Sequence, residues 1–300
     1  LVQPLINLLR EDLLAGDLVQ CDETRFQVLK EPGRLATSLS YLWVQRGGPR
    51  DAPIVLYDYD PSRSGEVPAR LLEGFTGILQ TDGYEGYAAV GRWPGVVHAG
   101  CWAHSRRKFD EAVKALPASG RPSKASRALE ALRIIQEIYA VERSIPKDAP
   151  HEERRRVREE RSKPFVQELR RWLDTALPQV PPQTLTGKAF GYLDRQWPKL
   201  MPMFDDGRIP LDTNAVENSI RPFCVGRKNW LFADTVRGAH ASANLYSLIE
   251  TAKANAIEPA AYLRLVFSEL PRATTLAEIE ALLPRNVDRA RLGDPRKTCG

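Results

Sequence analysis

No paired-cysteine motif, no internal repeat and no low-complexity tract occurs in these 300 residues. The four cysteines, Cys21, Cys101, Cys224 and Cys299, are scattered and form no CxxC pair. That argues against a disulfide framework and a four-cysteine zinc site, and it fits a reducing cytoplasm. No segment approaches the roughly 20 apolar residues of a membrane span. The N-terminal stretch carries Glu11 and Asp12 and lacks the basic start of a signal peptide. A soluble, cytoplasmic protein with no membrane partner is expected. The chain starts at Leu1 rather than Met, which suggests a fragment or a processed product. Charge of one sign is also scarce: 43 Lys and Arg stand against 38 acids, a net charge of +5. That excess suits a nucleic-acid partner but does not require one.

What is present is a change of pattern along the chain. Val2, Leu5, Ile6, Leu8, Leu9 and Leu13 recur at helical spacing, and Gly16 is a stop signal. Leu18 to Asp22 and Phe26 to Leu29 read as two strands, with Glu31-Pro32-Gly33 as a turn. Leu39 to Gln45 and Ile54 to Tyr59 extend the sheet. A helix over Glu66 to Phe75, a strand over Gly77 to Thr81, a short helix over Tyr84 to Val90 and a strand over Val96 to Cys101 follow. From Ala103 to about Phe204 strand signals vanish. His151 to Asp174 holds eight Lys or Arg and six acids, a mixture typical of a solvated helix face. Strands return weakly near Trp230 to Phe232, and Ala239 to Ala256 reads as an amphipathic helix. The expected organisation is a first part of an α/β core over 1–102, an all-helical insertion over 103–205, the end of the core over 206–256 and a helical tail over 257–300.

This order of elements resembles the ribonuclease-H-like fold, a mixed sheet flanked by helices. In that fold one acid sits on the first strand, a second just after the fourth, and a third on a later helix. Asp22 in CDET, Asp82 in LQTDGYEGY and Glu217 in LDTNAVEN occupy those places. Such carboxylates suit two-metal phosphodiester chemistry, because magnesium prefers oxygen ligands and two ions flank the reacting phosphorus. Each acid also has a plainer reading. Asp22 also reads as a strand-end residue bonding the local backbone, with Glu23 beside it an equal candidate as ligand; Asp82-Gly83 is a strong turn signal, and Asn214-x-x-Glu217 fits a helix-capping box.

The run NAVENSIRPFCVGRKNWLF, from Asn214 to Phe232, closely resembles the signature of insertion sequence 66 family transposases, a bacterial group of the DDE class. CDET at Cys21, YLWV at Tyr41, YDYDPSRSG at Tyr57, LQTDGYEGY at Leu79, GCWAHSRRKF at Gly100 and SLIETAKANAIEPAAYL at Ser247 match in the same order. The resemblance implies that Asp22, Asp82 and Glu217 form the catalytic, metal-holding triad, with a helical insertion between the second and third acids. It implies two Mg2+ ions, for which Mn2+ substitutes, and double-stranded DNA as partner, both transposon ends and target. A homo-oligomer assembled on DNA, accessory proteins of the same element and association with the nucleoid when active are further expectations. Thr213 stands where Asn is frequent in the family, and Asn218 where Arg is frequent. The leucine-zipper-like stretch and cysteine-rich zinc motif usual at the N-terminus of members are absent from these residues, which puts autonomous recognition of transposon ends in question.

Around Glu217 lie further candidates. Arg221, Arg227, Lys228 and Arg237 are expected to neutralise DNA phosphates without reading sequence. Trp230 either stacks on an unpaired base or joins the core with Phe232. His98, Cys101 and His104 form an HxxCxxH cluster that lacks an evident fourth zinc ligand. The expected activity is cutting of transposon ends and joining of the 3′ hydroxyl to target DNA. The alternatives are a nuclease of the same fold without strand transfer, and a truncated or domesticated protein that binds DNA without cutting it.

Overall fold

The computed structural model describes residues 2–115 and 126–292, so Cys299 lies outside the described residues. These residues divide into two compact units, the first comprising Leu1–Leu79, Glu85–Val96 and Asn214–Gly300, the second Gln80–Tyr84 and Val97–Thr213.

The first unit is built around strand β1 (Leu18–Lys30), which pairs antiparallel with β2 (Leu39–Gly47), itself antiparallel to β3 (Ile54–Asp60). Strands β4 (Gly77–Gln80) and β5 (Val96–Ala99) complete the order β3-β2-β1-β4-β5, and β6 (Ala233–Thr235) pairs parallel with the far end of β1. The structure therefore has one long strand where the sequence suggested two. Polar Glu23, Thr24 and Arg25 looked like a break, yet they sit opposite Trp43, Leu42 and Tyr41 of β2. Sheet hydrogen bonds are made by the backbone and tolerate polar side chains that find partners above or below the sheet.

Helix α1 (Gln3–Leu14) buries Leu5, Ile6, Leu9 and Leu13, the stripe its spacing predicts. Helix α2 (Glu66–Leu71) stops before the expected Phe75, with Gly74 at φ 81° carrying the turn. The short helix expected over Tyr84 to Val90 is instead two 3-10 turns, Glu85–Tyr87 and Val90–Arg92, each containing a helix-weakening glycine.

The other face of the sheet is covered by α8 (Asn214–Trp230) and α9 (Val236–Ala254). Val216, Ile220 and Phe223 of α8 and Ala239 and Ala243 of α9 pack on Phe26, Val28, Val44 and Tyr57. Where a strand was expected at Trp230 to Phe232, Trp230 ends the helix and Leu231 adopts φ 65°, turning the chain into β6. An edge strand exposes unpaired backbone groups. On β3 these are met by α9: Ser247 Oγ accepts from Tyr57 N at 2.8 Å, Thr251 Oγ1 from Val55 N at 3.0 Å, and Asn255 Nδ2 donates to the Pro53 carbonyl at 2.8 Å. Three polar residues at i, i+4 and i+8 thus stitch one helix face to one strand edge, so SLIETAKAN is a structural segment. Helices α10 (Pro259–Glu269) and α11 (Leu276–Glu280) complete the unit.

The second unit contains α3 (Trp102–Lys114), α4 (Arg127–Ser144), α5 (His151–Val157), α6 (Lys163–Ala176) and α7 (Leu185–Leu200). Buried Ala128, Ala131, Ile135 and Ile138 of α4 and Val166, Leu169 and Leu173 of α6 recur at helical spacing. Phe190 is stacked on Trp172 at 4.9 Å and meets Phe109 edge-on at 5.7 Å. The mixed-charge run forms surface ion pairs, Arg156 with Glu160 at 2.9 Å among them. Arg158 is the exception, fully buried in a π-helical turn between α5 and α6. Its guanidinium bonds the Glu142 carboxylate at 2.7 and 2.8 Å and the carbonyls of Met203 and Ile209. Burial pushes the Glu142 carboxyl up, and the hydrogen bonds from Arg158 and Arg154 outweigh that and leave it below the ordinary range.

Candidate catalytic acids and their surroundings

Asp22 lies on β1 between Gln20 and Thr24, and alternation puts these three side chains on the face that α8 covers. The contacts that flank Asp22 show how the helix runs. Val216 N, beside Glu217, donates to Gln20 Oε1 at 3.2 Å, and Arg227 Nη1 donates to Thr24 Oγ1 at 3.1 Å. Thr24 Oγ1 also lies 3.5 Å from Cys224 Sγ. From Gln20 to Thr24 a strand rises about 13 Å, and from Val216 to Cys224 a helix rises about 12 Å. Strand and helix therefore advance in step. Glu217 and Cys224, seven residues apart, share a helix face, so the glutamate belongs to the stripe that looks onto the Asp22 side of β1. Asn214 is the first helical residue and Glu217 the fourth.

Glu23 faces the opposite side of the sheet. Its Oε1 accepts from Arg63 Nε at 2.8 Å and Nη2 at 2.6 Å, and its Oε2 accepts from Tyr87 Oη at 2.8 Å. The choice between Asp22 and Glu23, open in the sequence, is thus separated by strand alternation: one carboxylate looks onto α8, the other is committed to Arg63 and Tyr87. Burial, and then the negative charges of Glu23 and Asp22, push the Cys21 thiol up.

In the second unit, Asp82 follows β4 by two residues, and its Oδ1 accepts from Tyr84 N at 2.8 Å. This is the turn geometry that Asp-Gly favours. The turn is also gripped from outside. A Cβ on Gly83 would lie 2.7 Å from the Tyr192 ring and 2.8 Å from its hydroxyl, so only glycine lets α7 approach. Burial and then the Asp82 charge push the Tyr192 hydroxyl up. Upstream, Gln80 Nε2 donates to the carbonyls of Gly100 at 3.0 Å and Pro210 at 2.7 Å, and Thr81 N donates to the Ala99 carbonyl. No ion pair engages Asp82 among the described residues.

The HxxCxxH cluster does not act as one group. His98 Nε2 lies 2.8 Å from Thr81 Oγ1, and burial, reinforced by the Lys199 charge, lowers its pKa to about 4. Cys101 Sγ accepts from Thr213 N and Oγ1, both at 3.3 Å, and burial raises its pKa. Cys101 and His104 offer ligand atoms within 4.8 Å of each other, and His98 is not a member of that group.

Arg221, Lys228 and Arg237 are exposed, and Arg227 is half-buried. Besides Thr24, Arg227 donates to the Arg25 carbonyl. Trp230 packs edge-on against Phe26 at 5.7 Å and Phe223 at 5.1 Å, the core reading of that residue, whereas Phe232 is exposed. Residues that the sequence reading passed over are Tyr41 and Arg63. With Glu23, Thr24, Arg25 and Arg227 they line a cavity of about 370 Å³ in the first unit. Both fall in motifs that match the family, Tyr41 in YLWV and Arg63 in YDYDPSRSG, but neither motif by itself gives them a role.

The profile of the Transposase IS66 family matches residues 1–241, a span that includes all three acids, and that of the IS66 C-terminal element matches residues 247–284. The chain belongs to the IS66 transposase family. Three uncharacterized proteins of Sinorhizobium fredii (strain NBRC 101917 / NGR234) are similar to it. Protein y4jD is 34% identical over 95% of this chain and 56% of its own length, and y4qI is 33% identical over 95% and 53%. Protein y4hP is 30% identical over 90% of this chain and 50% of its own. The chain thus spans about half the length of the curated relatives it matches. No helix among its described residues is long and apolar enough to cross a membrane.

Proposed function

We propose that this chain is the catalytic part of a DNA transposase that cuts transposon ends and joins the freed 3′ hydroxyl to target DNA, with Asp22, Asp82 and Glu217 acting as one metal-ligand set. One observation carries the reading. Within the span matched by the family profile, the three acids stand on β1, just after β4 and on α8 of a sheet ordered β3-β2-β1-β4-β5. That is the placement expected of a ribonuclease-H-like core with a helical insertion between the second and third acids.

The donor set fits magnesium, with manganese as a substitute, because all three residues offer hard carboxylate oxygens. Among the described residues, moreover, no ion pair engages the Asp82 carboxylate. Bound divalent ions supply Lewis acidity to the attacking and leaving oxygens. The protein's own contribution is placement. Asp22 and Glu217 are held on regular elements, Asp82 on a clamped turn, and Arg221, Arg227, Lys228 and Arg237 balance phosphate charge on double-stranded DNA. Water first hydrolyses a strand at the transposon end, and the resulting 3′ hydroxyl then displaces a 3′ oxygen of the target. The setting is the bacterial cytoplasm, with oligomerisation on DNA and accessory proteins of the same element.

The test supplies donor ends and a target plasmid with Mg2+ or Mn2+. Asp22→Asn, Asp82→Asn and Glu217→Gln each lower cleavage by about 10³-fold or more, while a mobility shift shows DNA still bound. Undiminished cutting in any one removes that residue from the set. Cleaved but never joined products would assign a nuclease.

A further inference from the structure

A cavity of the first unit is lined by Glu23, Thr24, Arg25, Tyr41, Arg63 and Arg227. Strand β6 pairs with β1 at Val28 and Lys30, and the Arg25 carbonyl is met by the Arg227 guanidinium.

Three guanidiniums and one carboxylate surround the space. Glu23 is nearly fully buried and is already neutralised by Arg63, with Tyr87 on its other oxygen. Arg227 is spent on neutral acceptors, the Thr24 hydroxyl and the Arg25 carbonyl, and therefore keeps its charge. Arg25 is exposed and has no carboxylate partner among the described residues. A formal excess of two positive charges results, and it favours an anion. Tyr41, opposite Arg25 on β2, adds an aromatic wall with the Arg63 guanidinium 5.9 Å from its ring centre. The volume sits at the lower end of ligand clefts, large enough for a single small ligand and too small for a duplex.

We propose that this cavity receives one unpaired nucleotide of a DNA strand, its phosphate held by Arg25, Arg63 and Arg227 and its base against Tyr41. The proposal rests on the transposase reading for its biological setting, but its test does not use catalysis. A guanidinium cluster recognises phosphate by charge and by its fork of donors, and an aromatic face adds about 1–3 kcal/mol per stacked base.

The probes are thymidine 5′-monophosphate, inorganic phosphate and a short single-stranded oligonucleotide, titrated calorimetrically into the full chain in EDTA. The mononucleotide and the oligonucleotide bind, and inorganic phosphate binds at least 10-fold more weakly. Arg25→Glu and Tyr41→Leu each weaken oligonucleotide binding at least 10-fold with unchanged melting temperature. Lys188→Glu, the same charge reversal on an exposed face of α7, leaves it unchanged. Phosphate binding equal to the mononucleotide, or Arg25→Glu and Tyr41→Leu proteins that bind as well as wild type, would overturn the proposal. Loss of cleavage activity bears on the transposase reading alone, because binding in EDTA is read separately.

Discussion

The two compact units hold their acids by different physical means. In the first, Asp22 and Glu217 belong to a strand and a helix that advance in step, locked by the Gln20–Val216 bond and by Phe26, Val216, Ile220 and Phe223. In the second, Asp82 stands on a turn held by Tyr84 N and by a glycine pressed against Tyr192. An acid on a regular element moves only when the core moves. An acid on a clamped turn can be displaced while the fold persists. The difference separates stability from activity, and it can be broken or sharpened by substitution.

The largest effect on stability is expected from Phe223→Ala. The ring is fully buried and meets Phe26 at 5.0 Å, Trp230 at 5.1 Å and Tyr246 at 5.2 Å. Truncation costs about 3–5 kcal/mol in a denaturant melt, and cleavage falls in parallel with the folded fraction. Activity lost without any change in stability would contradict the element-held picture of the first unit.

Gly83→Ala should do the reverse. The added methyl, 2.7 Å from the Tyr192 ring, shifts the turn, and a displacement near 1 Å at a reacting group costs on the order of 10²-fold in rate. The melting temperature should change little, and Gly83→Ala combined with Tyr192→Leu should recover part of the rate. A melting point that drops together with activity would show that the turn is as much part of the core as β1.

The pH dependence is smaller and belongs to the second unit. His98 in the folded protein titrates near 4, against 6.5 for an ordinary histidine, because burial and Lys199 oppose its charged form. Between those values the unfolded chain binds the extra proton. The contribution of neutral His98 is therefore complete above pH 6.5 and is lost as pH falls toward 4, at about 1.4 kcal/mol per pH unit. His98→Asn should flatten that limb in melts across the range, and an unchanged slope would locate the acid sensitivity elsewhere.

The smallest effect is expected at Leu231, whose φ of 65° turns the chain from α8 into β6. A left-handed conformation costs a branched residue about 1–2 kcal/mol. Leu231→Gly relieves that strain while adding freedom to the unfolded chain, so a net gain of about 1 kcal/mol or less is expected from chemical denaturation. A loss of stability would mean that the leucine side chain, 59% exposed, contributes more packing than its surface position indicates.

Much of this was legible in local pattern. The α1 stripe, β2, β3, the strand before Asp82, the helical stretch after Ala103 and the α9 helix follow from periodicity and turn residues. Misreadings fell where local and tertiary preferences conflict. The polar CDETR segment looked like a break because hydrophobic alternation lapses there, but its side chains have partners at Arg63, Tyr87 and Arg227. Trp230 to Phe232 looked like a strand because aromatic residues favour strands, yet Trp230 is bound into the helix that packs on Phe26. Family resemblance through CDET, TDGY and NAVEN, rather than spacing, singled out the three acids.

The amino-acid order by itself determined most of the elements, the turn at Asp82-Gly83 and the residue types available for metal and phosphate, because these depend on neighbours a few positions away. Only the folded chain decided which of Asp22 and Glu23 looks onto α8 and that the Asp82 turn belongs with the helical unit. It alone assembled Arg25, Tyr41, Arg63 and Arg227 around one cavity. Those outcomes depend on strand alternation combined with partners tens to hundreds of residues distant, and no local pattern encodes which distant partner arrives.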